Sequence, residues 1–315
     1  MIVCTLPQDL MQEKHYRYFE QRTRTRIVPA ITHEERARLI PQAEILLSFP
    51  STVKKYIAQV ETLKWVFCMS AGVEELPFDE LMERKIVVSN ASGVHAEQMS
   101  EHTLGVMIAF CREFHTLMKN QFANKWERRM DVDELSGKTL CVIGTGSVGR
   151  EIARKAKAFY MNVIGVKSIP ATLPDFDEIY PSTRLRDALQ ASDYIVLIAP
   201  LTDATYHMIG LSEFQCMKPS AVFINISRGD TVDEEALLMA LENGWIKGAG
   251  LDVFHEEPLP QESRLWKLDN VILTPHNSGL SRHYFQKCVA LFADAYERFI
   301  SGHGVLNQID LKKGY

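Results

Sequence analysis

Short apolar runs rich in β-branched residues alternate with longer, charged amphipathic stretches along the whole chain, the pattern of parallel strands wound with helices. In the first hundred residues the expected strands are 2–6, 45–48, 65–69 and 86–89, with helical stretches such as 51–60 between them. A second, more regular series follows residue 138, at 139–143, 163–166, 194–199, 221–226, 249–253 and 271–273. Six strands so arranged match a full dinucleotide-binding sheet. The stretch 97–120 is rich in helix formers and long enough to bridge two bodies. In 281–300, Phe285, Val289, Phe292, Tyr296 and Phe299 recur at three- and four-residue steps, which predicts one amphipathic helix. No fixed-period repeat and no low-complexity linker intervenes, so helices rather than a tether are expected to join the bodies. The expected division is 1–96 plus 281–315 for one body and 97–280 for the other.

Composition then narrows the function classes. The 315 residues include 40 acidic and 35 basic ones, a net charge of -5, so the chain lacks the positive field that nucleic-acid binding uses. The longest run without a polar side chain, Leu104 to Cys111, is far shorter than the roughly 20 residues of a membrane span. The start, Met1-Ile2-Val3-Cys4-Thr5-Leu6, carries no basic segment of a signal peptide, and a cytoplasmic protein is expected. The cysteines Cys4, Cys68, Cys111, Cys141, Cys216 and Cys288 form no C-x-x-C pair and read as reduced, packed thiols. The histidines offer no H-E-x-x-H spacing, and His255-Glu256-Glu257 is not a ligand set, so no metal is expected.

The chemistry is concentrated at strand ends. Gly144-Thr145-Gly146-Ser147-Val148-Gly149 is a G-x-G-x-x-G motif that follows the apolar run 140–143 and opens a helix at 150–159. Such glycines permit a tight turn and close approach of a pyrophosphate, which the helix N-terminus then binds with its N–H groups and dipole. The next strand ends on Lys167 and Ser168, where an NAD-binding protein places an acidic residue on the ribose 2′-hydroxyl. An ammonium and a hydroxyl accept a 2′-phosphate that a carboxylate repels, so NADP is expected ahead of NAD, with Arg150 a weaker second cation. Three later strands also run into polar groups: Asn225-Ile226 into Ser227-Arg228-Gly229, Gly250-Leu251 into Asp252 and then Glu257-Pro258, and Leu273-Thr274 into Pro275-His276. In a doubly wound sheet, ligands sit at the strand C-termini, so an arginine, a glutamate and a histidine on one rim form a candidate catalytic group.

These residues carry a resemblance. Ser227-Arg228-Gly229 with Val232-Asp233-Glu234, Gly250-Leu251-Asp252-Val253-Phe254 with Glu257-Pro258, and Thr274-Pro275-His276, in that order after the glycine motif, resemble the D-isomer-specific 2-hydroxyacid dehydrogenases. Ser70-Ala71-Gly72-Val73, Val88-Ser89-Asn90, Gly93-Val94 and Glu101-His102 are similar to that family's substrate-loop and hinge signatures, and Pro200-Leu201-Thr202 with Thr205 to its coenzyme-side loop. The resemblance implies two doubly wound parallel-sheet domains, a Rossmann coenzyme domain and a flavodoxin-like substrate domain. It implies hydride exchange between nicotinamide C4 and C2 of a 2-oxo acid. His276 would be the acid/base, with Glu257 favouring its cation, and Arg228 would bind the substrate carboxylate with its planar fork. Ala71, Gly72 and Val73 would hold the other end of the carboxylate, with Phe49 and Trp126 candidates for the pocket wall. Asp252 would position the nicotinamide carboxamide, Ser147 and Val148 the pyrophosphate, and Pro200, Thr205, Ile226, Ser227 and Gly279 would complete the coenzyme side. A homodimer through the region 100–126 is implied as well.

The chain departs from the family pattern at Lys167. In phosphoglycerate-type members a basic residue beside the substrate loop holds the phosphate, whereas this stretch reads Ser48-Phe49-Pro50-Ser51. That argues against a phosphorylated substrate, as does the short tail after Ile300, and points toward a glyoxylate- or hydroxypyruvate-reductase-like branch. A coenzyme-sensing interaction protein on the same fold is the alternative, weakened by the full Arg228, Glu257 and His276 set. A formate-dehydrogenase-like reading is disfavoured by the acid at Glu257.

Overall fold

Strand pairing sorts the apolar runs into two sheets, and within both every strand pair is parallel. The computed structural model describes residues 1–128 and 132–314. It divides into two units, Met1–His95 with Ser281–Tyr315 and Ala96–Leu280.

In the first unit β1 (Ile2–Cys4), β2 (Ile27–Pro29), β3 (Ile45–Ser48), β4 (Trp65–Cys68) and β5 (Val87–Asn90) lie in the order β2-β1-β3-β4-β5, the flavodoxin-like doubly wound order. Both faces are covered, so the central strands are apolar throughout and period-2 alternation only selects the face. On β4, Trp65 and Phe67 join one core with Phe19 and Phe292, while Val66 and Cys68 join the other with Val53 and Tyr56. The helix Tyr284–Ile300 begins slightly later than the periodicity predicts and stacks Phe292 on Phe19 of the helix Glu13–Thr23, with ring centroids 4.9 Å apart.

In the second unit β6 (Thr139–Ile143), β7 (Asn162–Lys167), β8 (Glu178–Pro181), β9 (Tyr194–Leu197), β10 (Val222–Asn225), β11 (Gly248–Leu251) and β12 (Val271–Leu273) follow the order β12-β11-β10-β9-β6-β7-β8. The switch point falls between β6 and β9, so the loops after those strands open the crevice where a dinucleotide binds.

The two strands absent from the expectation, β2 and β8, are both sheet edges that end in proline. An edge strand tolerates the missing N–H of a proline; β2 is a run of only three residues, Ile27-Val28-Pro29, and β8 carries Glu178, so neither gives the long apolar run of a central strand. The stretch 97–120 is not one helix. It forms Ala96–Cys111 and Phe114–Phe122, interrupted at Glu113, whose φ is 56° and whose carboxylate binds Lys247 Nζ at 2.8 Å. Among the described residues no helix is long and apolar enough to cross a membrane.

Candidate active site

The turn after β6 is built by its glycines. Gly144 has a φ of +106°, and a Cβ there would stand 2.6 Å from the Ile198 carbonyl oxygen; on Gly149 it would stand 2.1 Å from the Gly144 carbonyl oxygen. Glycine alone lets strand, turn and helix close this far. Around Gly146, by contrast, nothing lies within 4 Å of a Cβ position. Gly146 caps the helix Ser147–Ala158 without a side-chain acceptor, and the first turn, with Ser147 and Val148, holds no acid. The leading N–H groups and the positive dipole end are thus left to an anion, and this cradle fits a dinucleotide pyrophosphate. Thr145 is buried with its hydroxyl unpartnered among the described residues.

Lys167 closes β7 half-buried, with Ser168 exposed beside it and no described carboxylate paired to the ammonium. In the loop after β9, the Thr205 hydroxyl donates to the Pro200 carbonyl at 2.6 Å and accepts from the Thr202 N–H at 2.8 Å, closing the loop on itself. Ile226 and Ser227 are buried after β10, and the Ser227 hydroxyl donates to Asn225 Oδ1 at 2.8 Å. Asn225 Nδ2 and the Thr231 hydroxyl both donate to the Arg228 carbonyl, at 3.1 and 2.6 Å, which fixes the base of the arginine. The Arg228 guanidinium donates to the Ser227 carbonyl at 2.8 Å.

Asp252 is the anchor of the rim. It is 1% exposed. Its Oδ1 accepts the Thr274 hydroxyl at 2.6 Å and the Asn277 N–H at 2.9 Å, and its Oδ2 accepts the Ser278 N–H at 2.9 Å. Its carbonyl accepts the His276 N–H at 2.8 Å. Behind it, His102 Nε2 lies 3.4 Å from Thr274 Oγ1 and, because that hydroxyl donates to Asp252, the ring nitrogen is the donor. Burial pushes the titration of His102 down, although the charge of Asp252 acts the other way. Gln98 Nε2 donates to the Gly279 carbonyl at 3.2 Å.

This anchoring holds His276 at a φ of +50°, a conformation a non-glycine residue adopts only under such constraint. The ring is half-exposed, with Nδ1 2.7 Å from Glu257 Oε2. Glu257 Oε1 accepts the Phe254 N–H at 3.1 Å. A carboxylate on Nδ1 assigns the proton there and leaves Nε2 for a reactant, a proton-transfer geometry. Arg228, Glu257, His276 and Asp252 therefore share one rim of the second unit.

Ala71, Gly72, Val73 and Phe49 belong to the first unit. After β4 the Ser70 carbonyl accepts from the Ala91 N–H, Ala71 from Asn90 Nδ2 at 2.6 Å, Gly72 from the Ser70 hydroxyl at 2.8 Å, and Val73 from the Leu76 N–H. The Tyr284 hydroxyl pins the preceding Met69 carbonyl at 2.9 Å. With the carbonyls turned away, the N–H groups of Ala71, Gly72 and Val73 donate to no described residue, an arrangement that suits an anion. Phe49 follows β3 and packs on the core, while Trp126 is 94% exposed.

Burial pushes the thiols of Cys68, Cys141 and Cys288 up to about 12, which leaves them inert. Among the described residues no group of three His, Cys, Asp or Glu side chains could hold a metal. The tethering by Asn90 and Tyr284 and the contact between His255 and Asp230 join residues far apart in the chain and carry no local sequence signal.

Residues 104–278 match the family model of the D-isomer specific 2-hydroxyacid dehydrogenase NAD binding domain. A D-3-phosphoglycerate dehydrogenase of Methanocaldococcus jannaschii is 31% identical over 98% of this chain, which spans 60% of that protein's length. A glyoxylate reductase of Korarchaeum cryptofilum is 34% identical over 76% of this chain and 74% of its own. The crystal structure of a D-isomer specific 2-hydroxyacid dehydrogenase family protein from Aeromonas salmonicida subsp. salmonicida superposes with a TM-score of 0.87 at 33% identity, covering 98% of this chain and 99% of that one. With a family model over more than half its length and relatives above 30% identity across most of it, the chain belongs to the D-isomer specific 2-hydroxyacid dehydrogenase family of NAD(P)-dependent oxidoreductases.

Proposed function

We propose that this chain exchanges a hydride between NAD(P)H and C2 of a small 2-oxo acid, forming or consuming the D-2-hydroxy acid. The observation that carries the reading is the 2.7 Å pair of His276 and Glu257 on the rim that also bears the glycine turn. A nicotinamide coenzyme bound at that turn supplies the hydride. In reduction the His276 Nε2–H protonates the carbonyl oxygen, and in oxidation Nε2 takes that proton back. Glu257 fixes the tautomer and balances the imidazolium. The Arg228 fork binds the carboxylate and polarises the adjacent carbonyl, and in the first unit the N–H groups of Ala71, Gly72 and Val73 are candidates for holding an anion. Asp252 holds the acid/base loop and is the candidate acceptor for the carboxamide.

Lys167 and Ser168, with Arg150 on the preceding helix Ser147–Ala158, favour NADP over NAD. Phe49, where a phosphate-binding member carries a cation, favours an unphosphorylated acid such as glyoxylate, hydroxypyruvate or pyruvate. Phe114, Leu117, Met118, Phe122 and Trp126 present exposed apolar surface along the helix Phe114–Phe122 and beyond it, which supports a homodimer through that region. The free, largely buried cysteines are in keeping with a reducing, cytoplasmic setting.

Oxidation of NADPH and of NADH with a panel of 2-oxo acids tests the reading, and tight coenzyme binding without turnover on any acid would sink it. Lys167→Asp is expected to lower kcat/KM with NADPH by about 10-fold or more while sparing NADH, the effect of losing one charge-assisted phosphate contact. An unchanged coenzyme ratio would remove Lys167 from the site. Light scattering that returns a monomer would defeat the dimer.

A further inference from the structure

Two loops of the second unit touch backbone to backbone. A Cβ on Gly229 would lie 1.9 Å from the Phe254 carbonyl oxygen and 2.4 Å from the His255 nitrogen, so the turn after β10 and the loop after β11 are in direct contact. Arg228 immediately precedes that glycine, and Glu257 stands two residues beyond His255. Across this contact His255 Nδ1 meets Asp230 Oδ1, and the His255 N–H donates to Glu234 Oε2 at 3.2 Å. The Asp230 carbonyl accepts the His207 N–H at 2.8 Å, which holds the aspartate's backbone from its other side.

We propose that His255 is a positioning residue for the reaction, a latch whose ring on Asp230 ties the turn bearing Arg228 to the loop bearing Glu257 and so sets the spacing of the carboxylate-binding arginine against the acid/base pair. The proposal rests on the functional reading above. The groups facing the ring are acidic: Asp230 on the turn, Glu234 at the start of the helix Glu234–Glu242, and Glu256 beside it in the chain. Asp230 foremost raises the titration of His255, so the imidazolium persists above the ordinary histidine range. Losing that proton weakens the latch, and Arg228 then holds the carboxylate less well.

The test compares the full-length wild type with His255→Gln, Asp230→Asn and the double variant. Three readouts are taken: KM and kcat for the 2-oxo acid from pH 6 to 9, affinity for oxalate in the presence of NADPH, and the NMR titration of His255. The single variants are expected to raise KM and weaken oxalate by about 3- to 10-fold at pH 6.5, with kcat within about twofold and the double variant no worse than either single. The penalty shrinks as pH rises through the His255 titration, and Asp230→Asn moves that titration down. Wild-type KM and oxalate affinity in the single variants, or additive losses in the double, overturn the proposal. Absence of wild-type turnover together with weaker oxalate in the variants fails the functional reading and upholds the latch. A uniform loss of folded protein would be structural, and it is distinguished because it lowers the active fraction without changing KM.

Discussion

Arg228 follows β10 and His276 follows β12, the two strands that flank β11, yet their loops are held by different means. The His276 loop is tied from within: the buried Asp252 takes the Thr274 hydroxyl and two backbone N–H groups on its carboxylate and the His276 N–H on its carbonyl. On its inner side the Arg228 turn is tied by neutral groups, Asn225 and Thr231. On its outer side it is tied by His255, whose side chain is 64% exposed. A buried carboxylate with several donors resists change because any loss strands a desolvated group, whereas an exposed ion pair gives way cheaply. The proposed acid/base, His276, is thus set rigidly, as proton transfer over hydrogen-bond distances requires, while the proposed carboxylate clamp, Arg228, keeps an adjustable outer tie.

The hardest blow to this picture is removal of the proposed acid/base itself. His276→Ala is expected to lower kcat by about 10²–10⁴-fold with coenzyme affinity largely intact, measured by steady-state kinetics and by NADPH fluorescence titration. Near-normal kcat would move the chemistry elsewhere. Asp252→Asn comes next. The amide NH2 replaces one of the two oxygens and faces the donors of one side, either the Ser278 N–H or the Asn277 N–H with the Thr274 hydroxyl, so folding stability is expected to drop by about 1–3 kcal/mol in denaturant melts. Because His276 is hung on the same residue, kcat falls along with it. Asp230→Asn, by contrast, is expected to leave the melt nearly unchanged and act on KM. Equal stability costs for the two aspartates would erase the distinction between an inner and an outer tie.

What the sequence makes legible follows from range. The glycine turn and the polar residues at the ends of β10, β11 and β12 are local signals, a β run broken by a group that a buried strand has no use for. The family order of those motifs then assigns roles to Arg228, Glu257 and His276. The break at Glu113 is not legible, because the left-handed turn is stabilised by Lys247, far along the chain. The same holds for Asn90 and Tyr284, whose side chains draw the carbonyls of Ala71 and Met69 away from the loop. In His255-Glu256-Glu257 the family motifs single out Glu257 alone, and nothing local in the sequence marks His255. The fold sets Glu257 on His276 as the resemblance implies, and it alone brings His255 to Asp230.

The smallest expected effect is the one that separates the two ties by sign. His102, behind Asp252, has its titration pushed down by burial, so between that lowered value and the ordinary histidine value of about 6.5 the native state binds fewer protons than the unfolded chain. Its contribution is present above about pH 6.5 and is lost as pH falls through the folded value. His255 runs the other way, its titration raised by Asp230: its contribution is complete below about pH 6.5 and is lost as pH rises through the folded value. His15 in the first unit shares the sign of His102, so His102→Gln should flatten only part of the acid limb of a Tm-against-pH curve. His255→Gln should flatten the alkaline limb, with Tm changes in both cases under about 3 °C. Carboxylates held low by partners, Asp177 by Lys157 and Asp133 by Lys138, lose their contribution at more acidic pH and do not overlap either window. If both histidine variants flatten the same limb, the two loops are not held by opposite protonation states, and the difference between a buried anchor and an exposed latch reduces to one of strength.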